Sequence, residues 1–264
     1  MTKDKTSTID FTASTPLFTS DGTLTSVKNA EVAAQNGNLA ISKHFKHPSD
    51  DSKNFVLIGT LKNLPNLIKK EKIKKLKKIN SKICMTYSGL SPDFQRILNY
   101  AYNLAEEYYK VYDKEMGVSR FVKEISMKMQ QLTNQSSLRP FGLKLIVAGT
   151  NEEAQSSNSF KINDLHYFHL SENVEKIENY EISENGSFQK KSDIGIGKFG
   201  PKSVEFLSKR TFKEIESASI EVFKCMREFS DNELRVNDFE ICCVNENGVE
   251  IFGEENIKDL LNSF

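Results

Sequence analysis

The sequence lacks net charge, long apolar runs and an apolar N-terminal segment, and each absence argues against a class of protein. Its 36 basic and 36 acidic residues cancel, which argues against a general nucleic-acid binder, although charge can still cluster locally. No window approaches the roughly 18 consecutive apolar residues that a membrane helix needs. The opening segment, MTKDKTSTIDFTAST, has no apolar core of the kind found in signal peptides. We therefore expect a protein of the cytoplasm and nucleus that binds neither membrane nor nucleic acid.

Metal-ligand patterns are missing as well. The four cysteines are Cys84, Cys225, Cys242 and Cys243, and they form no CxxC-type pair with matching histidines. Cys242 and Cys243 are adjacent on a predicted strand, so their side chains should point to opposite faces. His166 and His169 are three apart on another predicted strand, residues 165–170, and should also lie on opposite faces. We predict buried free thiols, no metal site and no cofactor.

What the sequence does contain is an ordinary globular composition over 264 residues, 38% of them hydrophobic and 27% charged. Residues 1–19 are rich in Thr, Ser, Lys and Asp without periodicity, which predicts a flexible tail. Apolar residues then recur at helical spacing over residues 20–34, which predicts a short amphipathic helix. Residues 20–264 are expected to form a single domain.

The sequence pattern of the first half of this domain predicts short strands followed by two long helices. The strands are predicted at residues 38–44, 54–60 and 82–88. Ser91 and Pro92 fit the N-cap and the first position of a helix of about five turns, whose apolar stripe continues to Tyr112. A second amphipathic helix follows Gly117. The apolar segment at residues 143–149 predicts the central strand of a sheet.

The second half repeats this order. Strands joined by a hairpin turn are predicted over residues 165–190, and helices over residues 202–226, with a capping box formed by Thr211 and Glu214. A final hairpin and a short helix are predicted over residues 239–264. Because the helices come in blocks, doubly wound and barrel folds are disfavoured. We predict an α+β fold, a four-layer αββα sandwich with two antiparallel sheets between two helical layers.

Two segments have motifs of possible chemical interest. Seven lysines lie between Lys69 and Lys78, and they fit either a solvated strand and loop face or a basic patch for phosphate or an acidic partner. Aromatic residues, which single-strand nucleic-acid binding uses, do not interleave with them. The segment GIGKFGP at residues 195–201 lacks both GxGxxG spacing after a strand and GK[ST], so it indicates a tight entry into the next helix.

Several motifs resemble one known family. The segment from Gln130 to Gly142 matches Gln-x-x-Thr-x-x-x-x-x-Arg-Pro-Phe-Gly between a helix and an apolar strand, which is the signature of proteasome alpha subunits. Residues 87–94, YSGLSPDF, resemble the Tyr-Ser-Gly-Met-Gly-Pro-Asp-Tyr of the type-two members. Residues 18–30, FTSDGTLTSVKNA, resemble the segment that opens the family's leading helix. The resemblance covers almost the whole chain and is that of a divergent eukaryotic member.

The resemblance implies the fold of the N-terminal-nucleophile hydrolases, with an extra N-terminal helix. It also implies a non-catalytic structural subunit of the 20S proteasome alpha ring, because alpha subunits lack the N-terminal threonine nucleophile of active beta subunits. The implied role is to help form the substrate entry gate and the docking surface for ATPase regulators in ubiquitin-dependent protein degradation. The implied partners are neighbouring alpha and beta subunits and the C-terminal tails of regulatory-particle ATPases.

The resemblance also implies a pocket for an activator's tail. By position in the family's motifs, this pocket maps to Lys75, with Gly89 and Leu90 as its backbone side. An ammonium group repelled by neighbouring lysines gains from pairing with a terminal carboxylate. Lys74 or Lys77 would make this contact if the register is shifted.

The gate region implied by the resemblance maps to Phe11, Thr12, Ser20, Asp21 and Asn29. The family's Tyr-Asp-Arg tail motif is replaced by Phe-Thr-Ala at residues 11–13. Side chains of the leading-helix region also differ, at Ser20, Lys28 and Asn29. Most of the hydrogen bonds that fix the gate in the family cannot be made by these residues. We therefore expect a gate that is held differently, with a mobile tail before Thr19.

Two other functions stay open. A free-standing hydrolase of the same fold would need a processed nucleophile, and Gly-Thr pairs occur at Gly22, Gly59 and Gly149. None of them opens the first strand of the domain with the family's Asp and Lys behind it. A basic-patch protein would bind nucleic acid or an acidic partner through the lysine run, and its affinity for nucleic acid would fall steeply with salt.

Overall fold

A computed structural model describes residues 18–46, 54–62, 72–135, 138–151, 176–210, 215–230 and 234–262. The predictions made for Phe11 and Thr12, for the strand at residues 165–170 with its two histidines, and for the capping box at Thr211 and Glu214 lie outside these ranges. Within them, ten strands and six helices are present.

The strands form two five-stranded sheets in which all neighbours are antiparallel. The first sheet contains β1 (Ala40–Phe45), β2 (Phe55–Leu61), β8 (Asp193–Ile196), β9 (Phe239–Asn245) and β10 (Gly248–Ile251). The second contains β3 (Lys77–Lys78), β4 (Ile83–Gly89), β5 (Leu143–Thr150), β6 (Ile177–Ile182) and β7 (Phe188–Lys190). The strand orders are β10-β9-β2-β1-β8 and β3-β4-β5-β6-β7. As predicted, β5 is the central strand of its sheet.

The helices are α1 (Thr25–Gln35), α2 (Ser91–Tyr112), α3 (Val118–Asn134), α4 (Gly200–Ser208), α5 (Ile215–Glu228) and α6 (Glu254–Asn262). The apolar stripes of α2 and α3 pack against the second sheet, where Phe121 and Ile125 are fully buried. The stripes of α4 and α5 pack against the first sheet, around Phe223. No helix in the described ranges combines the length and hydropathy needed to cross a membrane.

A third group of buried side chains fills the space between the two sheets. It includes Ile58 from β2, Ile146 from β5 and Cys242 from β9. Cys243, the next residue, points to the opposite face and packs with α5, as the alternation of a strand requires. The four-layer sandwich and the opposite orientations of the two adjacent cysteines are therefore confirmed. All four cysteines are free and buried.

The structure corrects the predicted start of the leading helix. The helix begins at Thr25 and not at residue 20, because residues 19–23 close a turn in which Gly22 has φ 74°. The Thr19 amide donates to the Thr23 carbonyl (2.8 Å) and the Gly22 amide donates to the Thr19 carbonyl (2.9 Å). A left-handed residue at Gly22 cannot continue a right-handed helix, so the apolar periodicity alone overstated its length.

Three further details differ from the sequence prediction. Ser91 is the first helical residue of α2, and the N-cap is Leu90, without a side-chain cap bond. Tyr112, predicted to lie on the buried stripe, is 52% exposed. β8 was not predicted, because Gly195 and Ile196 belong to the segment interpreted as the entry to α4 and the two residues before them carried no strand prediction.

Candidate functional site

The lysine-rich segment is described from Lys72 onward, and its last two residues form the edge strand β3 of the second sheet, where Lys77 pairs with Met85 and Lys78 with Cys84. One carboxylate from the other sheet fixes the loop that precedes β3. The Glu240 Oε2 atom accepts hydrogen bonds from the backbone amides of Lys75 and Leu76, both at 2.9 Å. Hydrogen bonds to a carboxylate are among the stronger ones in proteins, so Glu240 sets the path of this loop.

The Lys75 side chain points inward. Only 5% of this residue is exposed. Its Nζ donates to the Leu61 carbonyl at 3.3 Å and lies 5.0 Å from the centroid of the Tyr87 ring. Burial lowers the pKa of Lys75 to about 7, with the Glu240 carboxylate partly opposing this shift. The amine is therefore near its titration midpoint at neutral pH, unlike an ordinary surface lysine.

The other lysines that the structure describes in this run are more accessible than Lys75. Lys72, Lys74 and Lys78 are exposed and Lys77 is half-buried. The expectation of a solvated face holds for the three exposed lysines and is wrong for Lys75. Lys75 is buried next to exposed lysines in the chain, and the positive charge of this segment would favour binding of an anion.

Tyr87 connects Lys75 to the start of α2. Its ring stacks on Phe94, with centroids 3.9 Å apart, and burial raises the pKa of its hydroxyl. Gly89 follows two residues later on the same strand, and therefore on the same face as Tyr87. Leu90 comes next and is 43% exposed. The Lys75 amine thus lies over Tyr87, two residues before Gly89 at the end of β4, and Leu90 follows that strand.

Gly89 lies in a crowded junction that no other residue type would fit. It has φ 124°, and a Cβ added there would lie 2.2 Å from the Gly142 carbonyl oxygen. The Leu90 amide donates to the same oxygen at 2.9 Å. A Cβ added at Gly37, just after α1, would lie 2.2 Å from the Gly89 nitrogen. The ends of α1 and β4 and the turn before β5 therefore meet at Gly89.

The turn before β5 is held by an ion pair between the buried Asp93 carboxylate and the exposed Arg139 guanidinium. The two Asp93 oxygens accept hydrogen bonds from the two terminal nitrogens of Arg139, at 2.6 and 2.8 Å. One of them also accepts from the Gly142 amide at 2.9 Å. Burial raises the pKa of Asp93, but the hydrogen bonds from Arg139 and Gly142 together outweigh it, so the pKa lies below its usual range. This pair fastens the Arg-Pro-Phe-Gly turn to the start of α2.

The described gate residues lie apart from this junction. Ser20 and Asp21 are exposed on the turn before α1, and Asn29 is exposed on the helix itself. The Ser20 hydroxyl is 3.5 Å from an Asp21 carboxylate oxygen. The turn is closed by the Thr19 and Thr23 hydroxyls, 2.8 Å apart. These side chains are therefore available to contacts beyond this chain.

Glu240 is a site residue that sequence analysis missed. Its carboxylate holds the Lys75 loop and also accepts from the Lys62 Nζ atom at 3.0 Å. A signal was present, because Glu240 has the same strand parity as Cys242 and Val244, which face the other sheet. A charged residue at an inward parity is costly unless it is paired, which points to a buried polar contact.

The described ranges contain no group of three or more His, Cys, Asp or Glu side chains positioned to hold a metal ion.

Comparisons with known proteins agree on one family. The family described as proteasome subunit matches residues 51–157. The chain is similar to proteasome subunit alpha type-2 of Dictyostelium discoideum, with 28% identity over 96% of this chain and 97% of that protein. It is also similar to the alpha type-2 subunit of Trypanosoma brucei brucei, with 25% identity over 93% of this chain and 95% of that protein. For the alpha type-2 subunit of Oryza sativa subsp. indica, the identity is 23% over 92% and 93%.

Proposed function

This chain belongs to the proteasome subunit family, and from that premise we propose that it is a non-catalytic structural subunit of the 20S alpha ring, acting in ubiquitin-dependent protein degradation. The observation that supports the proposal best is similarity to alpha type-2 subunits over more than nine-tenths of both chains. Membership of this family implies assembly with other proteasome subunits. The proposed neighbours are alpha subunits in the same ring and beta subunits in the adjoining one.

The positions of the Gly-Thr pairs support a role without catalysis. The N-terminal nucleophile of this fold needs a free threonine amine as its base. Thr60 is fully buried inside β2. The Thr150 amide donates to the Lys82 carbonyl at 3.1 Å, and the Thr23 amide donates to the Thr19 hydroxyl at 3.2 Å. Each of these three threonines thus lies in ordered internal backbone.

Gentle isolation of the chain through a C-terminal tag, followed by native mass spectrometry, tests the assembly proposal. We expect a particle of many related subunits that hydrolyses peptides, recovered from both cytoplasmic and nuclear fractions. Intact-mass analysis should place Met1 or Thr2 at the mature N-terminus. A lone 30.0 kDa species, or a terminus at Thr23, Thr60 or Thr150, would contradict the proposal.

We further propose that Lys75, Gly89 and Leu90 receive the C-terminal carboxylate of a regulatory ATPase. The Lys75 ammonium group has three N–H donors, and in the described ranges its Nζ has one acceptor, the Leu61 carbonyl. A carboxylate would supply a second acceptor and favour the charged amine, in a loop whose neighbouring Lys72 and Lys74 are exposed. Leu90 offers exposed apolar surface for the residues that precede the carboxylate.

A pair of peptides tests this docking site on the assembled particle. One ends in the free carboxylate of a regulatory ATPase tail, and the other is its C-terminal amide. We expect Lys75→Met to weaken binding of the free-acid peptide by about tenfold or more, as amidation does, because both remove a charged pair. The matched control is Lys74→Met, which removes an exposed neighbour. A loss confined to Lys74→Met or Lys77→Met would refute the assignment to Lys75.

The pKa of Lys75 adds a pH test. An amine with a pKa of about 7 must take up a proton to pair with a carboxylate above that pH. Binding of the free-acid peptide should therefore weaken as the pH rises from about 7 to 9. The titratable groups facing this amine are Glu240 and Tyr87. A pH-independent affinity over this range would mean that Lys75 does not make the contact.

We also propose that residues 1–19, together with Ser20, Asp21 and Asn29, contribute to the substrate gate. The closed turn at residues 19–23 supports this, because it gives a tail a fixed point of departure. The division into a tail of residues 1–19 and a domain of residues 20–264 stays a prediction. Removing residues 2–17 should raise peptide hydrolysis by free particles without changing their subunit composition, and an unchanged rate would count against a gating role.

A further inference from the structure

A cavity of about 450 Å³ opens between α2, α3 and the turn before β5. Buried Ile97 and Phe141 line its inner side. Leu138, which also lines it, is 50% exposed. The cavity therefore combines a covered apolar surface with an exposed apolar side chain, and it lies outside the candidate tail-docking site.

Cations line this cavity in excess. Arg96, Lys128 and Arg139 contribute to its walls, whereas Asp93 is the acidic residue that lines it. The Asp93 carboxylate is already occupied by Arg139 and by the Gly142 amide. Arg96 is exposed, and its charge helps to lower the pKa of Asp93 although the two form no ion pair within the described residues. Three cations and one carboxylate thus line the walls, which leaves an excess of positive charge there.

An aromatic ring joins the charged and apolar parts. The Lys128 Nζ atom lies 5.3 Å from the centroid of the Tyr100 ring. Burial raises the pKa of Tyr100, and the nearby carboxylates of Glu124 and Glu107 raise it further. Neither carboxylate lines the cavity. They reduce the local positive potential without occupying the space between the cations, which stays open to an incoming anion.

We propose that this cavity docks an acidic segment of an adjacent subunit, and the inference rests on the proposed function of the chain as a subunit of a larger particle. The segment would place a carboxylate between Arg96 and Lys128 and an apolar side chain against Leu138 and Phe141. A small inorganic anion would leave the apolar surface uncovered, and a purely apolar segment would bury unpaired cations at a cost. A peptide segment that has both a carboxylate and an apolar side chain would pair with the cations and cover the apolar surface.

Zero-length cross-linking of the native particle tests the contact directly. A carbodiimide joins the Lys128 amine to a carboxylate in contact with it, forming an amide with loss of one water molecule. We expect a peptide in which Lys128 is joined to an Asp or Glu of another subunit. The matched control is Lys128→Arg, which keeps the charge and cannot form this product. If Lys128 in intact particles joins only to residues of its own chain, or to none, the proposal is wrong.

Charge reversal supplies a second, independent measurement. The double variant Arg96→Glu/Lys128→Glu should be recovered in particles at least about tenfold less than the wild type, because like charges would then face each other. The control is Arg227→Glu, an exposed arginine on α5 in the other helical layer, for which we expect recovery within about twofold of the wild type. Normal amounts of the double variant in particles would overturn the inference. The inference would also be wrong if the double variant lost RNA that the wild-type chain binds while its contacts with other subunits stayed unchanged.

The two proposals fail in distinguishable ways. If the wild-type chain enters no particle, the proposed function falls and takes the docking inference with it. If the wild-type chain and the charge-reversed variant enter particles equally, only the docking inference falls.

Discussion

At the scale of single residues, the surroundings of two buried ionisable side chains, Asp93 and Lys75, affect their charge in opposite ways. Asp93 is paired with a guanidinium and a backbone amide, and its pKa falls below the usual range. Lys75 has a carbonyl oxygen and an aromatic ring as neighbours, and its pKa falls to about 7. The carboxylate therefore stays charged near neutral pH, whereas the lysine is close to losing its proton.

This difference predicts the pH dependence of a Lys75→Met variant. Between the folded pKa of about 7 and the model-peptide value of 10.5, the unfolded chain binds the proton that the folded chain has lost. The contribution of Lys75 to the free energy of unfolding therefore rises with pH across this window. Lys75→Met should stabilise the purified chain at pH 7 by about 2–5 kcal/mol, and the gain should shrink towards pH 10. Urea unfolding at several pH values measures it, and pH profiles that run parallel would contradict it.

The opposite sign is expected for Asp93→Asn. Since the folded pKa of Asp93 is lowered, its contribution is present above the unfolded pKa near 3.8 and is lost as the pH falls through the folded value. At pH 7 we expect a loss of about 1–3 kcal/mol in the free energy of unfolding, and the difference from the wild type should shrink below pH 4 or so. Asp21→Asn, at an exposed position, is the control and should stay within about 0.5 kcal/mol.

At the scale of elements, the junction of α1, β4 and the turn before β5 is built from glycines, of which Gly89 alone also has a positive φ. Gly89 combines a positive φ with contacts that leave no room for a Cβ. Gly89→Ala should lower the free energy of unfolding by about 2–5 kcal/mol, because strain and overlap act together.

Gly253→Ala is the matched control for this variant. Gly253 has nothing within 4 Å of an added Cβ, so its substitution should change stability by less than about 0.5 kcal/mol. Chemical unfolding of both variants makes the comparison. Equal stabilities would mean that the junction relaxes freely around an added methyl group.

Some elements of this fold could be predicted from the sequence and others could not. The extents of α2 and α3 and the hairpin at Gly186 follow from local periodicity and turn chemistry, which is why they were predicted well. The burial of Lys75 could not be predicted, since it depends on Glu240, a residue 165 positions away. β8 was missed because its apolar alternation covers only Ile194 and Ile196, and pairing with β1 is needed to make it a strand.

At the scale of the whole molecule, two cysteines lie across the interface between the sheets. Cys84 belongs to β4 and Cys242 to β9, and their sulfur atoms are 3.3 Å apart. Both are fully buried, and burial raises the pKa of Cys242. Thiols react as thiolates, so neither should react while the layers stay together.

Thiol labelling should therefore report separation of the layers. In urea concentrations below the unfolding transition, we expect labelling of Cys84 and Cys242 to require an opening free energy within about 1 kcal/mol of global unfolding. Mass spectrometry of the labelled peptides gives this value for each cysteine. Cys225, which belongs to α5, and Cys243, which packs in the same buried cluster beneath that helix, serve as internal comparisons. Labelling of the interlayer pair well before global unfolding would show that the sheets part independently.

The anchoring of the Lys75 loop by Glu240 has a consequence for chain synthesis. Glu240 follows Lys75 by 165 positions, and its strand, β9, pairs with β2 on the side that β1 leaves open. Until β9 has emerged from the ribosome, the backbone amides of Lys75 and Leu76 therefore lack the Glu240 carboxylate to which they donate. Products truncated before residue 239 cannot form the Lys75 environment. Synthesis of β9 is thus a condition for this surface to exist.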